Sequence, residues 1–154
     1  MNKWTALSIL SLACLTSNID VHADSLIIHG LSKHFNSPDC TSIVKKGYQC
    51  TFNEQNYGLA YRDNIKTQFY FTSGAYKNSF SRLSTYIGGG YSFNQWSGIE
   101  IGIVTGYPMA YIVPMINPYF SLPIYDKLSL QIEAPFLPGN TQLLALSLEY
   151  KLWD

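Results

Sequence analysis

The sequence predicts an all-β protein, an eight-stranded antiparallel transmembrane β-barrel of the outer-membrane type that follows a cleaved signal peptide. Three observations predict it. Eight stretches read as strands and none shows a helical period. The connections between them alternate between short and long. Charged residues are only 13% of the chain while aromatics reach 15%, a charge share about half that of ordinary soluble domains. A soluble protein of this size needs a charged skin. A barrel in lipid needs an apolar one, with Tyr and Trp at headgroup depth.

The start of the chain sets the compartment. Lys3 is a short positive lead, Trp4 to Leu15 is mostly apolar, and Val21-His22-Ala23 offers small residues where a signal peptidase reads. Cleavage is expected between Ala23 and Asp24, so that 1–23 is a signal peptide and 24–154 one barrel domain. The apolar stretch is shorter than the roughly 20 residues a membrane-spanning helix takes. Cys14 raises lipidation, but Ser11 stands three residues before it, where a lipobox normally has Leu.

Strands are expected at 25–35, 56–62, 67–76, 84–93, 98–106, 116–125, 127–134 and 142–153. The last two are the clearest. Leu128, Leu130, Ile132 and Ala134 alternate with Ser129, Gln131 and Glu133, and Leu144, Leu146, Leu148, Tyr150 and Leu152 alternate with Ala145, Ser147, Glu149 and Lys151. Successive side chains point to opposite faces, so one face is apolar and the other polar. Charges in the polar set suit a barrel interior, with lipid outside. The connections at 63–66, 94–97 and around Asp126 are short, and those at 36–55, 77–83, 107–115 and 135–141 are long. Long loops then face out of the cell and both chain ends lie on the periplasmic side. The last strand is aromatic and leucine-rich, much like the signal read by the outer-membrane assembly machinery, although Asp154 follows Trp153. A monomer integral to the outer membrane is expected.

Composition also excludes. Ten Lys and Arg balance ten Asp and Glu, so no basic field argues for nucleic acid. No Gly-rich phosphate loop and no repeat occurs. Cys40 and Cys50 lie in a polar stretch with Pro and Gly, and in an oxidising compartment a disulfide closing the first outer loop is expected. A metal site is the competing reading, which no nearby His pair supports; neither metal nor cofactor is expected.

An eight-stranded barrel is filled by side chains or holds one slender ligand. Gly88, Gly89 and Gly90 in the fourth strand, with Gly102 and Gly106, mark either barrel curvature or a slot for an acyl chain. Pro114, Pro118, Pro135 and Pro138 punctuate loops or open lateral gaps for a lipid. Glu100, Glu133 and Glu149 are expected inside, paired with Lys151 or Arg62. Lys45-Lys46, Lys77 and Arg82 on the outer loops suit lipopolysaccharide phosphates, and a solvated loop accounts for them equally well.

Sidedness brings His29 and His34, high in the first strand, to the same rim as Lys77, Asn78, Ser79, Ser81 and Arg82. A histidine near a serine hydroxyl is the minimum for a base that activates a nucleophile or an acceptor hydroxyl.

The run Tyr76-Lys77-Asn78-Ser79-Phe80, followed by Tyr86, Gly88 and Gly90, resembles the second-loop region of the lipid A palmitoyltransferases (the PagP type). That region has an aromatic-Lys-Asp-Ser-aromatic run before a Gly-rich strand. Phe52-Asn53-Glu54-Gln55 before Tyr57-Gly58 is similar to the family's Tyr-Asn-Glu-Arg segment. His29, Val104-Thr105, Pro114, Pro118 and Phe136-Leu137-Pro138-Gly139 fall in comparable order. The resemblance implies a barrel that moves a palmitoyl chain from a phospholipid to lipid A, with His29 and Ser79 as catalytic residues. Asn78 stands where the family has Asp, and Gly90 matches a glycine at the floor of the acyl-binding interior. An asparagine cannot hold the negative charge that stabilises a protonated histidine. The amphipathic helix preceding some family barrels is missing, and the first outer loop is longer.

Three functions compete. An acyltransferase using phospholipid and lipopolysaccharide predicts His29 near Ser79, above a chain-width cavity. A non-catalytic lipid-binding or structural barrel predicts a plugged interior. A lipid A deacylase normally needs a His-Ser pair adjacent on one strand, which the sequence lacks.

Overall fold

The structure, a computed structural model, describes residues 25–35, 52–65, 68–108, 110–137 and 142–152. The expected signal peptide and the Cys40 and Cys50 pair lie outside these residues. Eight strands follow in chain order: β1 Ser25–Phe35, β2 Gln55–Asn64, β3 Phe69–Lys77, β4 Leu83–Ser92, β5 Ser97–Thr105, β6 Ile112–Tyr125, β7 Leu128–Glu133 and β8 Gln142–Lys151. Each pairs antiparallel with its neighbour in sequence, and β8 pairs with β1, so the sheet closes on itself.

The sequence placed β6 four residues too late, because Pro114 reads as loop. Its place in the ladder explains the difference. Ile116 exchanges hydrogen bonds with Phe136, at 3.2 and 2.7 Å. Pro114 and Pro118, two residues to either side, turn their ring nitrogens to that same edge. β7 stops at Glu133, and its register with β6 begins only at Tyr119. Above that point little asks β6 for a donor, so proline costs the ladder almost nothing. On its other side β6 pairs with β5 from Ile112 to Phe120 without a break.

Alternation sorts the two faces. Ile28, Leu59, Phe71, Ile87, Ile101, Ile116, Phe120, Leu146 and Leu148 all point out and are exposed. A soluble monomer does not carry an apolar band round its whole circumference; a barrel meeting hydrocarbon does.

Inside, the short-turn end is polar. Glu149 accepts from Arg62 at 2.8 Å, from Ser25 at 2.7 Å and from Gln131 at 2.7 Å. The Arg62 guanidinium lies over the rings of Tyr70 and Tyr119, 4.4 and 5.0 Å from their centroids. Three donors, one of them a cation, satisfy the carboxylate, which is what makes a buried charge tolerable. Of the two partners expected for the inward glutamates, Arg62 takes Glu149; Glu133 instead accepts from Asn117 at 3.1 Å. Towards the long-loop end the filling turns apolar, with Ile27, Ala60, Tyr86, Val104, Tyr107, Val113 and Met115 packed together.

The strand glycines make room for this filling. A side chain on Gly90 would run into the Tyr70 ring, and one on Gly98 into Tyr119. Large residues of one strand therefore lie over glycines of the next.

Candidate functional site

His29 sits midway along β1 and turns inward. Just after it, at Gly30, the register slips in both ladders, between His29 and Leu31. Such a bulge bends a strand and re-aims its side chains. Barrel closure sets His29 directly opposite Ser147 of β8. Their side chains meet, His29 Nδ1 lying 3.0 Å from Ser147 Oγ. The other ring nitrogen, Nε2, lies 3.0 Å from the hydroxyl of Tyr86 on β4, across the lumen. The rings of Tyr76 and Tyr86 pack at 5.4 and 5.7 Å from the imidazole. Histidine is thus held at both nitrogens and on its flank.

The residues His29, Ser147, Ser79, Tyr107, Met115 and Leu137 help line a cavity of about 60 Å³. That is room for a few waters or an ester group, well short of a whole acyl chain. Over it runs a file of rings: His34 stacked on Phe52 at 4.1 Å, Phe52 against Phe80 at 5.5 Å, and Phe80 against Tyr107 at 6.0 Å. Tyr107, in the β5–β6 connection, shares a 3.0 Å hydrogen bond with Tyr76. Burial pushes its phenol up, so it stays a protonated, neutral hydroxyl.

The expected trio of His29, Asn78 and Ser79 is only partly brought together. Ser79 is buried and reaches the same cavity as His29 from the β3–β4 connection, but the His29 nitrogens are engaged by Ser147 and Tyr86. Asn78 faces elsewhere. Its Oδ1 accepts from the backbone of Phe80 and Arg82 at 2.9 and 3.0 Å, and its Nδ2 donates to Ser84 Oγ and to the Gly106 carbonyl at 2.9 and 3.0 Å. It ties the loop after β3 to the end of β5. This is a structural use of all four hydrogen-bonding positions of an amide, and none of the four bonds goes to His29.

The remaining expected residues fall as follows. Gly88 lies against Glu100 and Gly90 beneath Tyr70; neither lines the cavity, and the interior at Gly90 is occupied by a ring where a slot for an acyl chain was expected. Lys77 is exposed at the end of β3, and its carbonyl accepts from Asn56 at 3.0 Å. Arg82 is half-buried, its backbone framing Asn78. Sequence reasoning missed Ser147 as a partner of His29, and with it Tyr86 and Tyr107. Ser147 was visible only as one of the inward polar residues of the last strand. Closure supplies the signal, since it makes the first and last strands antiparallel neighbours.

No family model and no curated protein matches the chain. Solved structures do. A de novo designed transmembrane β-barrel matches over 85% of this chain and 98% of its own, at 14% identity and a TM-score of 0.56. A second design, solved by solution NMR, matches over 88% of this chain and all of its own, at 14% identity and a TM-score of 0.58. The outer membrane protein Ail of Yersinia pestis, in a phospholipid bilayer nanodisc, is matched over 85% of this chain and all of its own, at 8% identity and a TM-score of 0.49. At such identities the likeness to the two designs is one of fold, that of a transmembrane β-barrel.

Proposed function

We propose that this chain is an integral outer-membrane barrel that moves a fatty acyl group from a phospholipid to lipid A or a related lipid, with His29 as general base. The observation that carries the reading is the imidazole held 3.0 Å from a serine hydroxyl beside a lined cavity. A base must lie within hydrogen-bond reach of the proton it takes, and this one does. The apolar outer surface supports residence in lipid. The thinly covered upper edge of β6, with Pro114 and Pro118, supports lateral entry of a lipid tail. The run Tyr76 to Phe80 supports kinship with the lipid A palmitoyltransferases, with Asn78 in a supporting position and Ser79 lining the site. Export by cleavage after Ala23, a Cys40–Cys50 disulfide, headgroup contacts by Lys77 and Arg82, assembly by the outer-membrane machinery and a monomeric state belong to the same proposal.

A second reading, a barrel that occupies the membrane without catalysis, is favoured by one feature. Tyr70 fills the lumen over Gly90, and the cavity beside His29 measures about 60 Å³.

Mass spectrometry of lipid A separates the two, in cells expressing the protein and in cells expressing His29→Ala. A palmitoyl-sized gain that disappears in the variant supports the transferase and its base. No gain in either, with the barrel folded in the outer membrane, supports the non-catalytic reading.

A further inference from the structure

We infer that Ser147 is the nucleophile of this site, taking the acyl group from the donor lipid as a covalent ester before an acceptor removes it. The inference rests on the acyl-transfer reading above and deepens it by naming the group that carries the chain between the two lipids.

Three features of the geometry support it. First, Ser147 is the serine bonded to the base. Its Oγ lies 3.0 Å from His29 Nδ1, whereas Ser79 lines the same cavity without a bond to the ring. Second, the opposite face of the imidazole has a partner that selects the useful tautomer. When Nε2–H donates to the Tyr86 hydroxyl 3.0 Å away, Nδ1 carries the lone pair that accepts the Ser147 proton. A third group orienting the base is the usual companion of an activated serine. Here it is a phenol, which fixes the ring without contributing a charge. Third, the Tyr76 and Tyr107 hydroxyls share one hydrogen bond. One of their two hydrogens is used between them, and the other is left to donate to an oxyanion in the cavity.

The steps balance. Ser147 Oγ attacks the ester carbonyl carbon of the phospholipid and its proton passes to His29 Nδ1. The tetrahedral intermediate collapses with cleavage of the bond to the glycerol oxygen, which takes that proton and leaves as lysophospholipid. An acceptor hydroxyl, from lipid A or water, then gives its proton to Nδ1 and attacks the acyl-serine. Collapse returns the proton to Ser147 Oγ and frees the new ester or the fatty acid.

The test uses the full chain refolded in detergent. It is incubated with p-nitrophenyl palmitate and quenched in acid, and its intact mass and peptide masses are read. In parallel, transfer from a palmitoyl phospholipid to lipid A is followed for wild type, Ser147→Ala and Ser79→Ala. Folding of each protein is checked by its altered gel mobility before boiling. We expect one palmitoyl adduct on the peptide holding Ser147, absent in His29→Ala, and transfer reduced by at least about a hundredfold in Ser147→Ala. Should Ser147→Ala fail to fold, Ser147→Cys serves, with an adduct that hydroxylamine releases as expected of a thioester.

Transfer by wild type and Ser147→Ala at equal rates overturns the assignment and leaves the acyl-transfer reading standing, as does an adduct mapped to Ser79. An adduct on Ser147 without transfer to lipid A supports the nucleophile and overturns the acceptor. Neither adduct nor transfer by folded wild type overturns both.

Discussion

The Asn78 amide donates to the Ser84 hydroxyl at 2.9 Å inside the barrel wall, and a second donation at 3.0 Å reaches the Gly106 carbonyl. Family resemblance makes Asn78 look like a lost aspartate; these two bonds say that the amide is needed. A carboxylate has no hydrogen to give either acceptor and would set a negative charge against a carbonyl oxygen. Asn78→Asp is expected to lose about 1–3 kcal/mol of stability, read from the urea midpoint of the refolded barrel, and to gain no activity. A variant as stable as wild type would show that the amide hydrogens do not hold the loop.

A larger loss is expected at Arg62. Arg62→Met strips the cation from a buried carboxylate, the kind of change that costs about 3–5 kcal/mol. Adding Glu149→Gln removes the stranded charge and keeps one carbonyl oxygen, which can still accept from either Ser25 or Gln131. The double variant should recover about 0.5–3 kcal/mol of coupling. Strict additivity in unfolding experiments would mean that the 2.8 Å contact carries no energy.

Gly90 offers a packing test. Its added methyl would meet the Tyr70 ring, so Gly90→Ala should destabilise by about 1–3 kcal/mol through overpacking. Tyr70→Leu beside it should restore part of that loss by vacating the space. Thermal unfolding of the two variants gives the comparison, and a harmless Gly90→Ala would place the ring elsewhere.

Lys33 and Glu54 form the opposite case. They meet at 2.7 Å with side chains 61% and 47% exposed, where water and salt screen the charges. Glu54→Gln should move stability by less than about 1 kcal/mol, and added salt should shrink the difference further. A shift as large as that at Arg62 would mean that the first outer loop is anchored through this pair.

Much of the barrel was legible because a strand of period two cannot hide its faces. Leu144 to Leu152 alternates without interruption, and the observed β8 follows it closely. β6 was set short because proline is read as a breaker. Its cost vanishes where the neighbouring strand has already ended, and that fact belongs to β7. The interior was legible in residue type and not in partnership. Glu149 was expected to face a cation, and the cation is Arg62. Asn78 was read through the role of a residue it resembles, while its actual bonds depend on Gly106, 28 residues away. Ser147 was beyond reach for a related reason. It is 118 residues from His29 in the chain, and only the closing pair of strands joins them.

That seam has a further consequence. Two halves of the bonded pair arrive at opposite ends of synthesis, one in the first strand and the other in the last. A chain not yet folded, or an open sheet awaiting its final edge, holds an unassisted imidazole and an ordinary hydroxyl. Only closure of the sheet brings them within hydrogen-bond distance. If the pair performs the acyl transfer proposed above, an unfinished copy has no means to act on lipids, and any reaction certifies that the ring has shut.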